Sequence, residues 1–582
     1  MKYKSSHLHL LLLLLWLAIG IVLRLTNLGA KPPWTDEFST LVFSLGTGYE
    51  SVPLDKAIAL DVLLKPVQPD STIGVGDVIH KMLVKDNHPP LYFALAHLWM
   101  KLFPTVNGLV SLWGARSLPA LLGAASIPAI YGLGWLAFRS RLVAQMAAAM
   151  MAVSPFGIFL AQEARHYTIA ILFVIASLSC MVMAARHIQE RSLIPIWLGL
   201  IWVITNTLGI AAHFFVALSL VTQALVLLAL FWFERRKVRE EDSKNLNSNN
   251  EVKNSKFKPL LNWWRIVAVA AGTLAGGLVW SPMWASTRQA ELTEWIRSEY
   301  SGLTLINPIF QALAAWITML SLLPVEVTNL VIVIASGFVM LIFFLWSLPI
   351  IRNGLNVQLE KPETKLATLI LGGVVLGAIA IFFCFAYIIG IDLTRGARYN
   401  FVYFPAVMVL VGASLAVCWD APTVKSKLIP ITTSGKKAVG VIWVMGLLSA
   451  LTVACNFGYQ KYYRPDLFVP VVEKLSQGQT LIATTHKTHV QVGEMMGVAW
   501  VFKHSDAANN PQFLLAHQEK DPKISTATLK QTLAEMPRPL DLWAVNFHAP
   551  LELDNCLADT QSLPAVDGYE YKLYHCVKKE KE

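Results

Sequence analysis

LHLLLLLLWLAIGIVLRLTNL, Leu8–Leu28, is an apolar run long enough to cross a membrane, and it leads into Pro32-Pro33-Trp34-Thr35-Asp36-Glu37-Phe38. A span needs about 20 mostly apolar residues. The basic start Met1-Lys2-Tyr3-Lys4 resembles that of a signal peptide. The length of the run, its Arg24 and the lack of a small-x-small site before Lys31 make it instead an uncleaved first span. Span ends favour Trp, Tyr, Lys and Arg, which anchor or snorkel. Trp34 fits that role, whereas the adjacent carboxylates Asp36 and Glu37 do not help insertion. They read as groups in a water-filled site where a proton must be taken. They read also as a helix start, with Thr35 or Asp36 capping the amphipathic run Phe38–Phe43.

The rest of the chain supports a polytopic, mainly α membrane protein. Of its 582 residues 55% are hydrophobic and 15% charged, and mean hydropathy is +0.51. The net charge of +10 is not a nucleic-acid signature, because Lys and Arg lie in short loops between apolar runs. The lipid bilayer is thus the expected partner, and nucleic acid is not. Cys180, Cys384, Cys418 and Cys455 fall inside apolar segments as small core residues. Cys556 and Cys576 lie in the polar C-terminal part, where a disulfide forms if that part is extracytoplasmic.

Eleven transmembrane helices are expected, over 8–28, 117–137, 143–160, 168–185, 193–209, 214–233, 264–284, 327–350, 366–389, 400–419 and 440–457. With the N-terminus inside, each cytoplasmic loop carries Lys or Arg, in 139–141, 186–191, 234–258, 352–365 and 425–437. Residues 240–254, rich in Asn, Ser and charge, read as a disordered cytoplasmic linker. Pro89–Phe103 and Pro308–Leu323 are too short to cross and are placed at the outer interface. The expected domains are a transmembrane domain over 1–458, with an outer loop at 29–118 and a cytoplasmic linker at 234–262. A small extracytoplasmic α/β domain follows over 459–582, with helices at 465–475 and 527–535 and strands near 480–483, 513–515, 540–547 and 569–577. There is no internal repeat and no Gly-rich nucleotide motif.

Polar residues gather at the outer ends of apolar helices. The first loop holds Asp36, Glu37 and Asp86-Asn87-His88-Pro89-Pro90-Leu91-Tyr92. The Pro pair keeps the residues before it extended, or simply starts the next helix. The second outer turn is Gln162-Glu163-Ala164-Arg165-His166-Tyr167, a site element or an Arg–Glu pair fastening the turn. His213 follows in the third, and Asp392, Arg395, Arg398 and Tyr399 in the last. Arg395 and Arg398 break the positive-inside pattern. They suit a lipid phosphate, which a guanidinium grips through two hydrogen bonds, or they snorkel to headgroups. His486-Lys487-Thr488-His489 is read as two imidazoles on one helix face, with no third metal ligand in sight.

Together these motifs, with Arg116-Ser117-Leu118-Pro119, Ser154-Pro155 and Arg398-Tyr399 before Pro405, resemble one family. It is the family 39-type, dolichyl-phosphate-mannose-protein mannosyltransferase-like membrane glycosyltransferases of the GT-C fold, whose bacterial relatives include enzymes that modify lipid A with aminoarabinose. The resemblance covers residues 1–240 and, thinly, 390–405, and leaves the C-terminal domain unexplained. It implies that Asp36 is the general base and that Glu37 orients it or the acceptor. It implies that His88 and its neighbours Asp86 and Asn87 line the same cavity. Glu163, Arg165 and Tyr167 match the second-loop motif and Arg398 the late basic site. The lipid A enzymes carry Glu-Lys before a single Pro where this chain has Asn87-His88.

The chemistry expected is transfer of a sugar from a polyprenyl-phosphate donor, undecaprenyl or dolichyl, to an acceptor that is a lipid, a protein or a polysaccharide. A carboxylate takes the acceptor's proton, and arginines stabilise the departing phosphate. Base and anion site on opposite sides of the anomeric carbon give inversion. Adjacent Asp36-Glu37 is not an Asp-x-Asp pair, so no cofactor or metal is expected to be required. The setting expected is a bacterial inner membrane with the site and the C-terminus on its outer face. A transporter or flippase would place ionisable groups near mid-membrane and show repeated halves. A non-catalytic scaffold would have no use for Asp36.

Overall fold

A computed structural model describes residues 2–245, 257–283, 291–297, 300–426, 428–429, 431–505, 510–519 and 521–577. The expected disordered linker falls mostly outside them, and its first residues, 240–245, continue the helix Val216–Asn245. The chain divides into two compact units. One is Met1–Thr26 with Pro119–Gln289 and Thr293–Tyr459, and the other is Asn27–Leu118 with Ala290–Leu292 and Gln460–Glu582.

The first unit is a helical membrane body. Among the described residues eight helices are long and apolar enough to cross a membrane, or nine if the bent pair Arg141–Val153 and Pro155–Ala161 is one span. All eleven expected segments are helical, but three stand outside that set. Ile196–Ala212 and Phe404–Asp420 have 17 residues each, and Phe257–Leu278 carries Lys258, Asn262 and Arg265 near its start. The run at 308–323, expected to lie at the interface, gains the apolar turn Leu303–Ile306 and forms a 19-residue candidate, Gly302–Leu320. By length and apolar composition, eight or nine helices among the described residues are candidate spans, against the eleven expected.

The 57° bend after Val153 has a local cause. Pro155 has no N–H to offer the carbonyl of Met151, so the helix must break there. Arg24, fully buried, supplies the missing donors: its Nη2 reaches Met151 O at 3.0 Å and its Nη1 reaches Ala152 O at 3.2 Å. In return Gln162 Nε2 donates to Leu23 O and Thr26 O at the end of the first helix. In a lipid environment such backbone groups find no water, so each break needs a partner of this kind. The bent helix also packs tightly on Phe404–Asp420, where a Cβ on Gly412 would stand 2.6 Å from the backbone nitrogen of Ala147. Small residues permit such approach between membrane helices. Deeper in the body a neutral network ties four helices, with Ser177 Oγ donating to Asn206 and Gln223, Trp202 Nε1 to Ser177, and Asn206 Nδ2 to Thr273.

In the first unit β2 (Val424–Lys425) and β3 (Thr432–Thr433) form a short antiparallel pair. The second unit is α/β. Its sheet orders eight-residue β4 (Gln479–His486), β5 (Gln512–His517) and β6 (Leu540–Val545) in parallel as β5-β4-β6. β8 (Tyr571–Cys576) and β7 (Cys556–Ala558) extend it antiparallel on one side. A disulfide joins Cys556 to Cys576 across that last pair. On the other side β1 (Ile58–Ala59), from the segment 27–118, covers the edge of β5 antiparallel. A bare edge would otherwise expose unsatisfied backbone groups. Asp55 secures the join, its N–H donating to Leu515 O and its Oδ1 accepting from His517 N. The compact units divide the C-terminal part at 459/460, one residue from the expected boundary, and residues 27–118 group with 460–582. The expected C-terminal helices and strands all form. The helix His489–His504 and the short strands β1 and β7 are additions.

Candidate active site

Asp36 and Glu37 occupy the first turn of the helix Thr35–Ser44, whose N-cap is Trp34 with no side-chain cap bond. Their negative charge suits the positive end of the helix dipole. The helix-start reading of this stretch thus holds for its position, though neither Thr35 nor Asp36 is the cap. The two carboxylates differ sharply. Asp36 is half-buried. Glu37 is fully buried, and both its oxygens are held by Arg116, Nε to Oε1 at 2.8 Å and Nη2 to Oε2 at 2.7 Å. Arg116 goes on to donate to the carbonyls of Leu28, Lys31 and Pro32. Glu37 therefore fastens the chain entering the motif. Breaking a buried pair costs about 3–5 kcal/mol because the other charge is left stranded. Glu37→Ala is expected to lower the thermal unfolding midpoint of the detergent-solubilised protein, Arg116→Met similarly, and the double variant by less than the sum. Additive losses would mean that the pair is not coupled.

A residue that sequence reading passed over stands beside this motif. Lys461, in the segment after the last apolar helix, places its ammonium 4.8 Å from the centre of the Trp34 ring. Burial pulls its pKa down to about 7, against the raising influence of Glu37 and Asp36 and with the lowering influence of Lys31 and Arg116. Nothing in its local sequence marks it.

In the same unit Asp86 ends the helix Val75–Lys85 in an extended conformation, ahead of the Pro pair that opens Leu91–Met100. Its Oδ1 accepts from the N–H groups of Asn87 and His88, at 2.5 and 3.1 Å, and lies 2.7 Å from His88 Nδ1. Burial works to raise the Asp86 pKa, but His88 and these bonds outweigh it and hold the carboxyl below its usual range. The carboxylate thus fixes the imidazole, whose side chain is 32% exposed. The helix His489–His504 packs on the helix Thr35–Ser44, and its His489 lies within electrostatic reach of Asp86. His489 stacks on Tyr49 at 5.1 Å, and its pKa is lowered by burial despite nearby Asp86. One turn on, a Cβ at Gly493 would lie 3.6 Å from Thr35. Spacing i, i+4 puts these two positions on one helix face. His486 ends β4 while His489 begins the helix, so the expected pair on one helix face is not formed. No group of three metal-ligating residues occurs among the described residues.

The remaining candidates belong to the membrane unit, where three turns distant in sequence meet. Glu163, Arg165 and His166 are buried in the turn before the helix Tyr167–Gln189. The Arg165 guanidinium lies 5.8 Å from the Tyr167 ring centre. His166 packs on His213 at 4.2 Å, and His213 on Phe401 at 4.7 Å. Phe215 meets Tyr399 at 4.7 Å, and Arg398 sits over both Tyr399 and Trp295, at 5.4 and 5.3 Å. A belt of rings and imidazoles thus runs from Arg165 to Arg398. Arg395 is different: it is exposed, donates to Trp295 O at 2.6 Å and lies 3.6 Å from the buried Asp392 carboxylate. Gly390, with φ 77°, lets the preceding helix turn into this loop.

Three solved structures are similar to this chain at low identity. ArnT from Cupriavidus metallidurans bound to undecaprenyl phosphate is 12% identical, with TM-score 0.47, over 96% of this chain and 97% of its own. The Archaeoglobus fulgidus oligosaccharyltransferase in its apo form is 12% identical, with TM-score 0.43, over 94% of this chain and 70% of its own. The archaeal oligosaccharyltransferase AglB from Archaeoglobus fulgidus, in complex with an inhibitory peptide and a dolichol-phosphate, is 10% identical, with TM-score 0.44, over 93% and 70%. No family model and no curated protein matches the sequence.

The candidates therefore fall into two groups, each assembled within its own unit. Asp36, Glu37, Asp86, Asn87 and His88 are in the α/β unit, and Glu163, Arg165, Tyr167, Arg395, Arg398 and Tyr399 are in the membrane unit. His166, from the same turn 162–167, joins the second group through its packing on His213.

Proposed function

We propose that this chain is a membrane glycosyltransferase that moves a sugar from a polyprenyl-phosphate donor to an acceptor on the outer face of the membrane. The observation that carries the reading is the belt joining Arg165 to Arg398 at the ends of apolar helices. A guanidinium held against aromatic rings at the lipid boundary suits a phosphate whose tail lies in the bilayer. Arg165 and Arg398 would balance the charge that grows on the departing phosphate, and Asp36 would take the acceptor's proton. Displacement with inversion then follows if the acceptor attacks opposite the phosphate. The Cys556–Cys576 disulfide favours an oxidising compartment for the α/β unit, which fits an outer-face site in a bacterial inner membrane. No metal enters this scheme.

The transporter reading is less well supported. The buried network at Ser177, Asn206 and Gln223 is neutral and serves to join helices, whereas ion pathways depend on ionisable groups. Mass spectrometry of lipid-linked sugars and surface glycans, with and without the protein, tests the proposal. Its loss is expected to let one polyprenyl-phosphate sugar accumulate while that sugar disappears from one surface acceptor. Unchanged levels of both would overturn it.

A further inference from the structure

Outside both groups of candidate residues, the sheet of the α/β unit carries three ionisable side chains in a row. His575 on β8 stands directly opposite Asp541 on β6 and, on its other side, opposite Leu557 on β7. Asp559, two residues beyond Leu557, donates its N–H to Leu573 O. It therefore lies diagonally across from His575 on the same face of the sheet. The imidazole Nδ1 is 2.7 Å from Asp541 Oδ1, and its Nε2 is 3.5 Å from Asp559 Oδ2. The second oxygen of each carboxylate is bonded to backbone. Asp541 Oδ2 accepts from Gln477 N at 2.6 Å, and Asp559 Oδ1 accepts from Gln561 N at 2.8 Å. Both carboxylates are thus held in place around a ring that is 39% exposed.

This geometry selects one protonation state of the ring. An ionised carboxylate only accepts hydrogen bonds, and a neutral imidazole has a single N–H to give. The neutral tautomer that bonds Asp541 would aim a lone pair at Asp559, and the other tautomer would do the reverse. Only the imidazolium, with a donor on each nitrogen, suits both partners. The bond to Asp541 and the charges of both carboxylates accordingly hold His575 above its ordinary value of 6.5, against the lowering effect of burial. Lys572 and Tyr574 alternate to the opposite face of β8. Arg538, ahead of β6, donates to the carbonyls of Asn555 and Val577.

We propose that Asp541, His575 and Asp559 form a proton-operated clip on the edge of the sheet: the imidazolium closes it by bridging β6 to the segment after β7, and loss of one proton lets residues 557–561 come away from β8. The segment has few other ties. β7 is three residues long, Leu557 is exposed, and the disulfide fastens only its first residue, Cys556. A group whose folded midpoint is raised contributes its stability below its ordinary value and loses it as pH rises through the raised midpoint. The edge is therefore closed in mildly acidic surroundings and opens on the alkaline side.

Two measurements on the full-length protein in nanodiscs test this, and neither needs a substrate. Deuterium exchange at the histidine C2 position, read by mass spectrometry across pH, gives the protonation midpoint of His575 itself. It is expected above 6.5, and lower in Asp559→Asn, which keeps the shape of the side chain and removes its charge. Backbone amide exchange, compared with intrinsic rates at each pH, follows residues 557–561. Their protection is expected to fall as pH rises through the midpoint, by about tenfold for each pH unit by which that midpoint exceeds 6.5. In His575→Gln the segment should be as loose in acid as the wild type is in alkali, while β4, β5 and β6 stay protected. A midpoint at or below 6.5, a midpoint that Asp559→Asn leaves in place, or wild-type protection that ignores pH would each overturn the clip. Loosening with pH that persists in His575→Gln would also overturn it, because the titrating group would then lie elsewhere.

Discussion

Asp36→Asn is expected to reduce sugar transfer by about 10²- to 10⁴-fold, the contribution of a positioned general base. The fold should hardly notice. Asn is close in shape to Asp in the first turn of the helix Thr35–Ser44, and the bond from Thr40 Oγ1 goes to the backbone carbonyl of residue 36, which Asn keeps. What is lost is a favourable charge at a helix N-terminus, about 0.3–1 kcal/mol. Rate and stability thus separate the two readings of this residue. The measurement is turnover of purified variant in nanodiscs at matched thermal unfolding midpoint, with donor binding followed in parallel. Near-normal turnover would reduce Asp36 to a helix-start residue.

The second large effect is at Arg398. Its guanidinium lies against Trp295 and Tyr399, which hold it in one orientation and lower the entropy it must lose on gripping a phosphate. A hydrogen bond to a charged group contributes about 1.5–3 kcal/mol, so Arg398→Ala should raise the donor concentration needed by roughly 10- to 100-fold. Arg398→Lys should recover only part of this, because an ammonium cannot present the two parallel bonds of the fork. Arg395→Ala should cost far less, since Arg395 already pairs with Asp392 and the Trp295 carbonyl. Transfer rate against polyprenyl-phosphate-sugar concentration, with acceptor held saturating, reads all three variants. Unchanged donor dependence in Arg398→Ala would move the phosphate site to Arg165.

Much of the architecture was legible because its causes are local. Apolar runs of sufficient length become helices in lipid, since only intra-segment hydrogen bonds satisfy the backbone there. The helix at Pro465–Leu475 and the strands around Leu481, Leu514 and Leu542 were visible from period and turn residues for the same reason. Span number was less legible. Whether an apolar turn such as Leu303–Ile306 adds to the next helix depends on how the chain continues through it, which composition does not reveal.

The candidate site was legible residue by residue but not as an arrangement. Asp36 and Glu37 look alike in sequence, yet one is half-buried and the other is locked to Arg116. Arg24 looked like an oddity in an apolar run until Pro155 gave it two carbonyls to satisfy. Lys461 has no motif around it at all. The sequence by itself determined that this is a helical membrane protein with acid and base residues at helix ends, because hydrophobic length and side-chain period are written along the chain. Tertiary structure alone decided which carboxylate is buried against Arg116, that β1 completes the sheet edge, and that the turns at 163–167, 213–215 and 395–401 share one belt. Hydrogen bonds and ion pairs act over a few ångströms, so their partners are set by which distant segments the packing brings together.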